Sequence, residues 1–228
     1  MVVYGLTGGV ATGKTTVSQI FQEHSIPVID ADLIAREVVR PGESAYKQLR
    51  AEFGSEYFDD ENGGELIREK LGKLIFYDSK QRKRLNRITH PAIRWRMFYQ
   101  FIYYFFTTTS YVILDTPLLF EVGYDKFLGT TIVVWCDGDK ELTRLMKRDQ
   151  STLADAKSRI ASQMCIEEKK KRATIVLDNN GSKEELREQV EELIRKLNSS
   201  WTPLLCRLAV PGIIAGLTYG FVKFLKMF

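Results

Sequence analysis

Val2-Val3-Tyr4-Gly5-Leu6-Thr7-Gly8-Gly9-Val10-Ala11-Thr12-Gly13-Lys14-Thr15 opens the chain, and the order of its parts decides the fold. Residues 2–6 are β-prone and mostly apolar, so they read as a buried strand running into a tight glycine loop. After Lys14, apolar residues recur at Val17, Ile20 and Phe21, which is helical spacing. Gly8 to Thr15 fits G-x-x-x-x-G-K-[ST], here in the strand–loop–helix context that gives the pattern its meaning. Glycines let backbone N–H groups turn inward, and with the helix N-terminus they make a phosphate cradle. Gly8, Gly9, Val10, Ala11, Thr12 and Gly13 supply that backbone. Lys14 reaches phosphate oxygens and the Thr15 hydroxyl suits Mg²⁺. A glycine turn with no ligand is the bland alternative.

Moving outward, further short apolar runs at 27–30, 111–115, 131–135 and 174–177 read as strands. Helical patterns lie at 33–39, 139–172 and 183–197, and residues 44–106 are mostly helical with a break at Gly63-Gly64. Strands alternating with helices predict an α/β fold with a parallel sheet covered on both faces. The helical stretch between the second and third strands is an insertion. Residues 99–106, rich in aromatics, are expected as a buried helix below the central strand, because Arg94 and Arg96 cut the run short of a membrane span.

The ends of the predicted strands collect carboxylates. Asp115 closes the run 112–115, the place for a carboxylate that acts on Mg²⁺, although strand-end aspartates also serve as caps. Asp30 and Asp32 follow the second strand, outside the carboxyl ends where open parallel sheets bind ligands. Asp32 reads as a general base, with helix capping as the alternative, and Asp30 as mainly structural. Arg144 and Arg148 share a helix face, and Arg159 follows. Arginine forks suit a lid that closes on phosphoryl oxygens; the alternative is a solvated helix. His90-Pro91 reads as a local pair with Pro91 in a first helical turn, and His90 as an acceptor contact only by neighbourhood. The basic run at 80–87 reads as a solvated helix face, with binding of acceptor phosphates or a localisation patch as the alternatives.

Taken in order, these segments resemble the dephospho-coenzyme A kinase family. The matching stretches are GLTGGVATGKTTV at 5–17, VIDAD with Ala35-Arg36 at 28–36, THP at 89–91 and LDTPLLFE at 114–121. RLMKRD at 144–149, RIASQ at 159–163 and LDNNGS at 177–182 also match. The resemblance spans residues 2 to about 197. It implies a P-loop kinase fold with a helical acceptor-binding insertion at about 31–107 and a lid at about 139–168. It implies ATP and Mg²⁺ as cofactors and dephospho-CoA as the small-molecule partner, phosphorylated at its ribose 3′-hydroxyl. It supports Asp32 as base, Lys14, Arg144 and Arg148 on the phosphates, and Arg36, His90, Pro117, Leu118 and Leu119 at the acceptor. Asn179 resembles a position near the adenine. Ala11-Thr12 stands where many relatives carry Gly-Ser; both positions present backbone to phosphate, so activity is expected to survive the change. Two other readings remain: a P-loop kinase for nucleosides or nucleotides, and an idle nucleotide-binding membrane scaffold.

Composition sets the outer limits. The 228 residues are 44% hydrophobic with a net charge of +4, enough apolar material for a core and too little charge to argue for nucleic acid. Cys136, Cys165 and Cys206 are scattered, and His24 and His90 are isolated, so neither a disulfide framework nor an imidazole metal site is expected. No secretory signal is expected at the N-terminus. From Trp201 the composition changes, and residues 208–222 carry no charge, with Arg207 before them and Lys223 and Lys226 after. At 1.5 Å per residue those 15 residues cover ~22 Å, short of the ~30 Å hydrocarbon core unless flanking side chains snorkel. Membrane attachment through residues 204–226 is expected, with the kinase domain (1–200) facing the cytosol. The alternative is a closing helix on the globule. Organelle, with the mitochondrial outer membrane among the candidates, and oligomeric state stay open.

Overall fold

The structure is a computed structural model that describes residues 1–107 and 110–199. Its main sheet has the strand order β2-β5-β1-β6-β7, from β1 (Val2–Gly8), β2 (Val28–Asp30), β5 (Tyr111–Asp115), β6 (Thr130–Trp135) and β7 (Ile175–Asp178). β1 pairs in parallel with β5 and with β6, and β6 with β7. All five residues of β5 are buried, as expected of a strand covered on both faces. The register sets Leu6 beside Asp115 and Gly8 beside Val134, so the carboxyl ends of the central strands come together. The chain turns one way from β1 to β2 and the other way from β5 to β6, and this reversal is where open α/β sheets bind ligands.

Packing by contacts divides the chain in two. One unit holds Met1–Ile29 and the described residues from Tyr104 onward; the other holds Asp30–Tyr103. In the first, α1 (Lys14–Glu23) and α9 (Lys183–Ser199) pack on the sheet through Val17, Ile20, Phe21, Leu186, Val190 and Ile194. The buried positions of α9 recur at three- and four-residue intervals, the stripe of an amphipathic helix. Leu119, Phe120, Val133 and Ile166 make a separate core cluster.

The second unit contains α2 (Ala31–Glu37), α3 (Ser44–Phe53), α4 (Arg68–Tyr77) and most of α5 (Ser79–Phe106). A short hairpin of β3 (Phe58–Asp59) and β4 (Glu65–Leu66) separates α3 from α4. Its turn passes through Gly63 (φ 91°) and Gly64 (φ 74°), backbone that a Cβ would strain, which explains the break expected there.

Two expectations fail in α5. Residues 99–106 are not a buried helix: Tyr99, Tyr103 and Phe106 are 65%, 56% and 73% exposed. Helical periodicity tells which side chains share a face; it does not tell whether another element covers that face. Pro91 lies inside this 28-residue helix and not in a first turn. Proline deletes one intrahelical hydrogen bond, and the long helix continues through that gap. Among the described residues no helix is long and apolar enough to cross a membrane. The tail expected to attach there lies outside the described residues.

Candidate active site

The loop after β1 is shaped for an anion. Gly13 takes a left-handed conformation (φ 98°) and begins α1 with no side-chain cap, so the first N–H groups of that helix are not satisfied by a cap. A Cβ on Gly13 would lie 2.2 Å from the Asn179 amide nitrogen, and one on Gly9 would lie 2.1 Å from Glu141 Oε1. At Gly13 the positive φ strains any L side chain, and at Gly9 a Cβ would have to displace the end of the Glu141 side chain. Ala11 also sits in the left-handed region, at φ 60°, where an L-residue is strained. The departure from glycine at this position therefore has a conformational cost. Thr12 is buried, and its hydroxyl donates to Gly9 O at 3.1 Å, bracing the loop from within.

Lys14 Nζ lies 2.5 Å from Asp115 Oδ1, and the Ser18 hydroxyl donates to Asp115 Oδ2. Ser18 follows Lys14 by one helical turn, so both reach the strand end that Asp115 occupies. Asp115 is buried and Thr15 is exposed. Their carboxylate and hydroxyl oxygens, with that of Ser18, are hard donors of the kind Mg²⁺ prefers. The donor set therefore fits the ion.

Beneath the loop lies a charged group that sequence reasoning did not single out. Lys169, on α8 (Ile166–Arg172), is fully buried. Its Nζ donates to Pro117 O at 2.5 Å and to Gly8 O at 3.3 Å, and lies 3.0 Å from Glu121 Oε1. Glu141, in the first turn of α6 (Gly138–Asp149), is also buried. Burial pushes its carboxyl above the ordinary range, while Lys169 and the Val10 N–H pull the other way. One signal for each was present in the sequence. Lys169 shares a face with Ile166, and Glu141 with Leu145. In a run of mixed charge, that signal is weak.

The segment after β5 divides its roles. Pro117 O accepts from both Thr7 Oγ1 and Lys169, tying the segment to the end of β1. Leu119 is fully buried against the sheet, while Leu118 is 40% exposed. Asn179 donates its amide to Thr12 O at 2.7 Å, so its side chain supports the loop backbone.

The arginines of α6 and α7 (Leu153–Ala161) are not equivalent. Arg148 donates to Asp149 at 2.7 and 3.2 Å, and Arg159 pairs with the same carboxylate. The Arg148 hydrogen bond, with help from Arg159, holds Asp149 well below the usual carboxylate range. Arg144 differs, because its Nη1 is buried with no hydrogen-bond partner. An orphaned buried donor of this kind is costly unless a ligand completes it.

In the other unit, Asp30 caps α2: its Oδ1 accepts from the N–H groups of Asp32 and Leu33 at 2.8 and 2.9 Å. The capping role falls to Asp30, leaving the Asp32 carboxylate outside it. Arg36 lies one turn further along α2, and His90 is exposed on α5.

Comparison with known proteins matches these features to one family. The family model described as dephospho-CoA kinase matches residues 2–185. The dephospho-CoA kinase of Oceanobacillus iheyensis is 48% identical over 198 residues, covering 87% of this chain and 98% of the relative. A dephospho-CoA kinase domain-containing protein of Danio rerio is 42% identical over 228 residues, covering 100% and 99%. Among solved structures, TT1252 from Thermus thermophilus superposes with a TM-score of 0.74 at 30% identity, over 86% of this chain and 97% of that one. The dephospho-CoA kinase from Campylobacter jejuni gives 0.65 at 27%, over 86% and 96%. The chain belongs to the dephospho-CoA kinase family.

Proposed function

We infer that this protein transfers the γ-phosphoryl group of ATP to the ribose 3′-hydroxyl of dephospho-CoA, giving coenzyme A and ADP. The observation that carries this reading is the uncapped start of α1, with Lys14 held on Asp115 and Ser18, in a chain matched to the family over residues 2–185. Phosphoryl transfer needs positioning and charge neutralisation more than covalent chemistry. The loop N–H groups hold phosphate oxygens. Lys14 exchanges its carboxylate partner for the nucleotide. Thr15 and Asp115, with Ser18 beside them, would hold Mg²⁺, which offsets charge on the phosphates. The acceptor O3′ attacks the γ-phosphorus as its bond to the bridging oxygen breaks and ADP leaves. Asp32 takes the hydroxyl proton and returns it to solvent. Arg144, with its unpartnered Nη1, is the arginine available to phosphoryl oxygens, and Arg148 and Arg159 join α6 to α7 through Asp149.

The test is turnover by the purified full chain with Mg-ATP, offering dephospho-CoA, nucleosides and nucleotides side by side. Formation of the 3′-phosphorylated product from dephospho-CoA supports the reading. Faster turnover of a nucleoside or nucleotide favours the kinase alternative, and nucleotide binding without turnover favours the scaffold.

We also propose that residues 204–226 attach the protein to a membrane with the kinase domain in the cytosol. Support comes from the uncharged run at 208–222 and its flanking basic residues. Full-length protein that stays in the supernatant of detergent-free membrane preparations would refute this.

A further inference from the structure

Within the Asp30–Tyr103 unit, α5 carries two apolar stripes. Ile93, Met97 and Phe101 recur every four residues; Met97 is buried and the other two are half-buried, so this stripe faces the rest of the unit. Trp95, Phe98, Tyr99, Ile102 and Tyr103 recur on the opposite side of the helix, and each of the four rings is more than half exposed. The Trp95 and Phe98 rings lie 5.7 Å apart, so the exposed stripe is continuous there. Taking ~200 Å² for a ring, the four aromatics leave about 500 Å² open to solvent, a large apolar patch for a monomer's surface.

The charge of the same helix is one-sided. Lys80, Arg82, Lys83 and Arg84 open it, Arg87, Arg94 and Arg96 follow, and it contains no Asp or Glu. Arg84 and Arg87 lie 3.5 and 3.8 Å from Glu52 of α3, and Arg96 lies 3.9 Å from Glu43. Two carboxylates therefore stand against seven cations. Among the described residues, Arg94 forms no ion pair. Arg94 and Arg96 adjoin Trp95 on either side, and at about 100° per residue they flank the aromatic stripe along both edges.

Whatever covers this face must accept an apolar ridge edged by cations. A second copy laying the same face against it would set the arginines of both copies together, like against like. An anionic bilayer is the complement. Its headgroups carry the negative charge, and the zone just beneath them is where Trp and Tyr rings settle. A convex helix also needs no shaped pocket in a fluid surface. We propose that the Trp95–Tyr103 face of α5 lies on an anionic lipid surface, with its rings in the headgroup zone and its basic residues on lipid phosphates. The helix rests in the plane of the interface and does not cross it, in keeping with its charge and with the lack of a spanning helix among the described residues. This contact is built from α5 alone, apart from the uncharged run at 208–222 and from the kinase reading.

The first test uses the full chain with Trp201→Phe, bound to vesicles of phosphatidylcholine with about 30% phosphatidylserine. Trp95 and Trp135 then report, and Trp135, which donates to Glu167 at 2.7 Å, is the internal control. Lipid brominated near the headgroup should quench the emission, and Trp95→Phe should abolish that quenching. Vesicle-bound protein with no quenching, or quenching that persists in Trp95→Phe, overturns the proposal. The second test measures co-sedimentation with vesicles for the full chain carrying Ile213→Asp, Leu217→Asp and Phe221→Asp, which break the uncharged run. Adding Arg94→Gln should weaken binding to phosphatidylserine vesicles roughly fivefold, with binding to phosphatidylcholine alone changed less than about twofold. Adding Phe98→Ser with Tyr99→Ser should weaken both by at least about tenfold. These side chains are exposed, so the fold should survive, and circular dichroism checks this. Binding that disappears with the three aspartates alone assigns membrane contact to the tail and overturns the proposal. A lipid-free dimer that Phe98→Ser with Tyr99→Ser turns into a monomer assigns the face to a second copy and overturns it equally.

Discussion

Replacing Lys169 with methionine removes a positive charge from a fully buried position while keeping a side chain of similar length. Three oxygens surround Nζ: Pro117 O at 2.5 Å, Glu121 Oε1 at 3.0 Å and Gly8 O at 3.3 Å. Lys169 is fully buried and Glu141, its other electrostatic partner, nearly so. Removing one member of a buried charged group leaves the rest uncompensated, typically at ~3–5 kcal/mol. That is a large share of the ~5–15 kcal/mol that stabilises a domain. With a urea dependence of ~3 kcal/mol per molar, the unfolding midpoint should fall by ~1–1.7 M. Glu141 supplies a pH signature. Its carboxyl is already raised in the folded state, chiefly by burial, so the fold binds its proton more tightly than the unfolded chain does. Stability is therefore lost as pH rises through and above the ordinary value of 4.5. Without Lys169 that loss grows, so the variant's deficit should be smallest near pH 4.5 and full at neutral pH. Adding Glu141→Gln should recover at least ~1 kcal/mol at neutral pH, because it removes a buried unpaired charge. The assay is urea unfolding followed by tryptophan fluorescence from pH 4.5 to 8. A deficit below ~1 kcal/mol, or one independent of pH, would show that the group beneath the loop does not depend on Lys169.

Asp32→Asn should lower kcat by ~10²–10⁴ with little change in KM for ATP, since the amide keeps the shape and cannot take the proton; a loss under tenfold reassigns Asp32 to positioning. Arg144→Gln should lower kcat far more than Arg148→Gln, because Arg148 already satisfies Asp149; equal losses in steady-state assays would refute the distinction. Ala11→Gly should leave stability unchanged or raise it by up to ~1 kcal/mol, because relief of the left-handed strain is partly offset by greater freedom in the unfolded chain. Thermal unfolding measures this, and a loss beyond ~1 kcal/mol contradicts strain at Ala11.

The amino-acid sequence alone determined the features that depend on neighbours along the chain. The β1–loop–α1 unit follows from β-prone residues, glycines and helical spacing within the twenty positions from Val2 to Phe21. The strand ends at Asp30 and Asp115 follow from short apolar runs. Capping is a matter of two or three residues, yet the sequence could not choose between Asp30 and Asp32 until the turn geometry was known. Tertiary structure decided whatever depends on contact between distant segments. Lys169 meets Gly8 across 161 positions, and in a run of lysines and glutamates the face it shares with Ile166 marks it as interior only weakly. The aromatic stripe of α5 is exposed because no described element covers it, a property of the surroundings and not of the stripe. Asp149 engages two of the three candidate arginines and leaves Arg144 apart, although all three are alike in the sequence. Local backbone preferences are written residue by residue, whereas burial and pairing of charge depend on which segments the fold brings together.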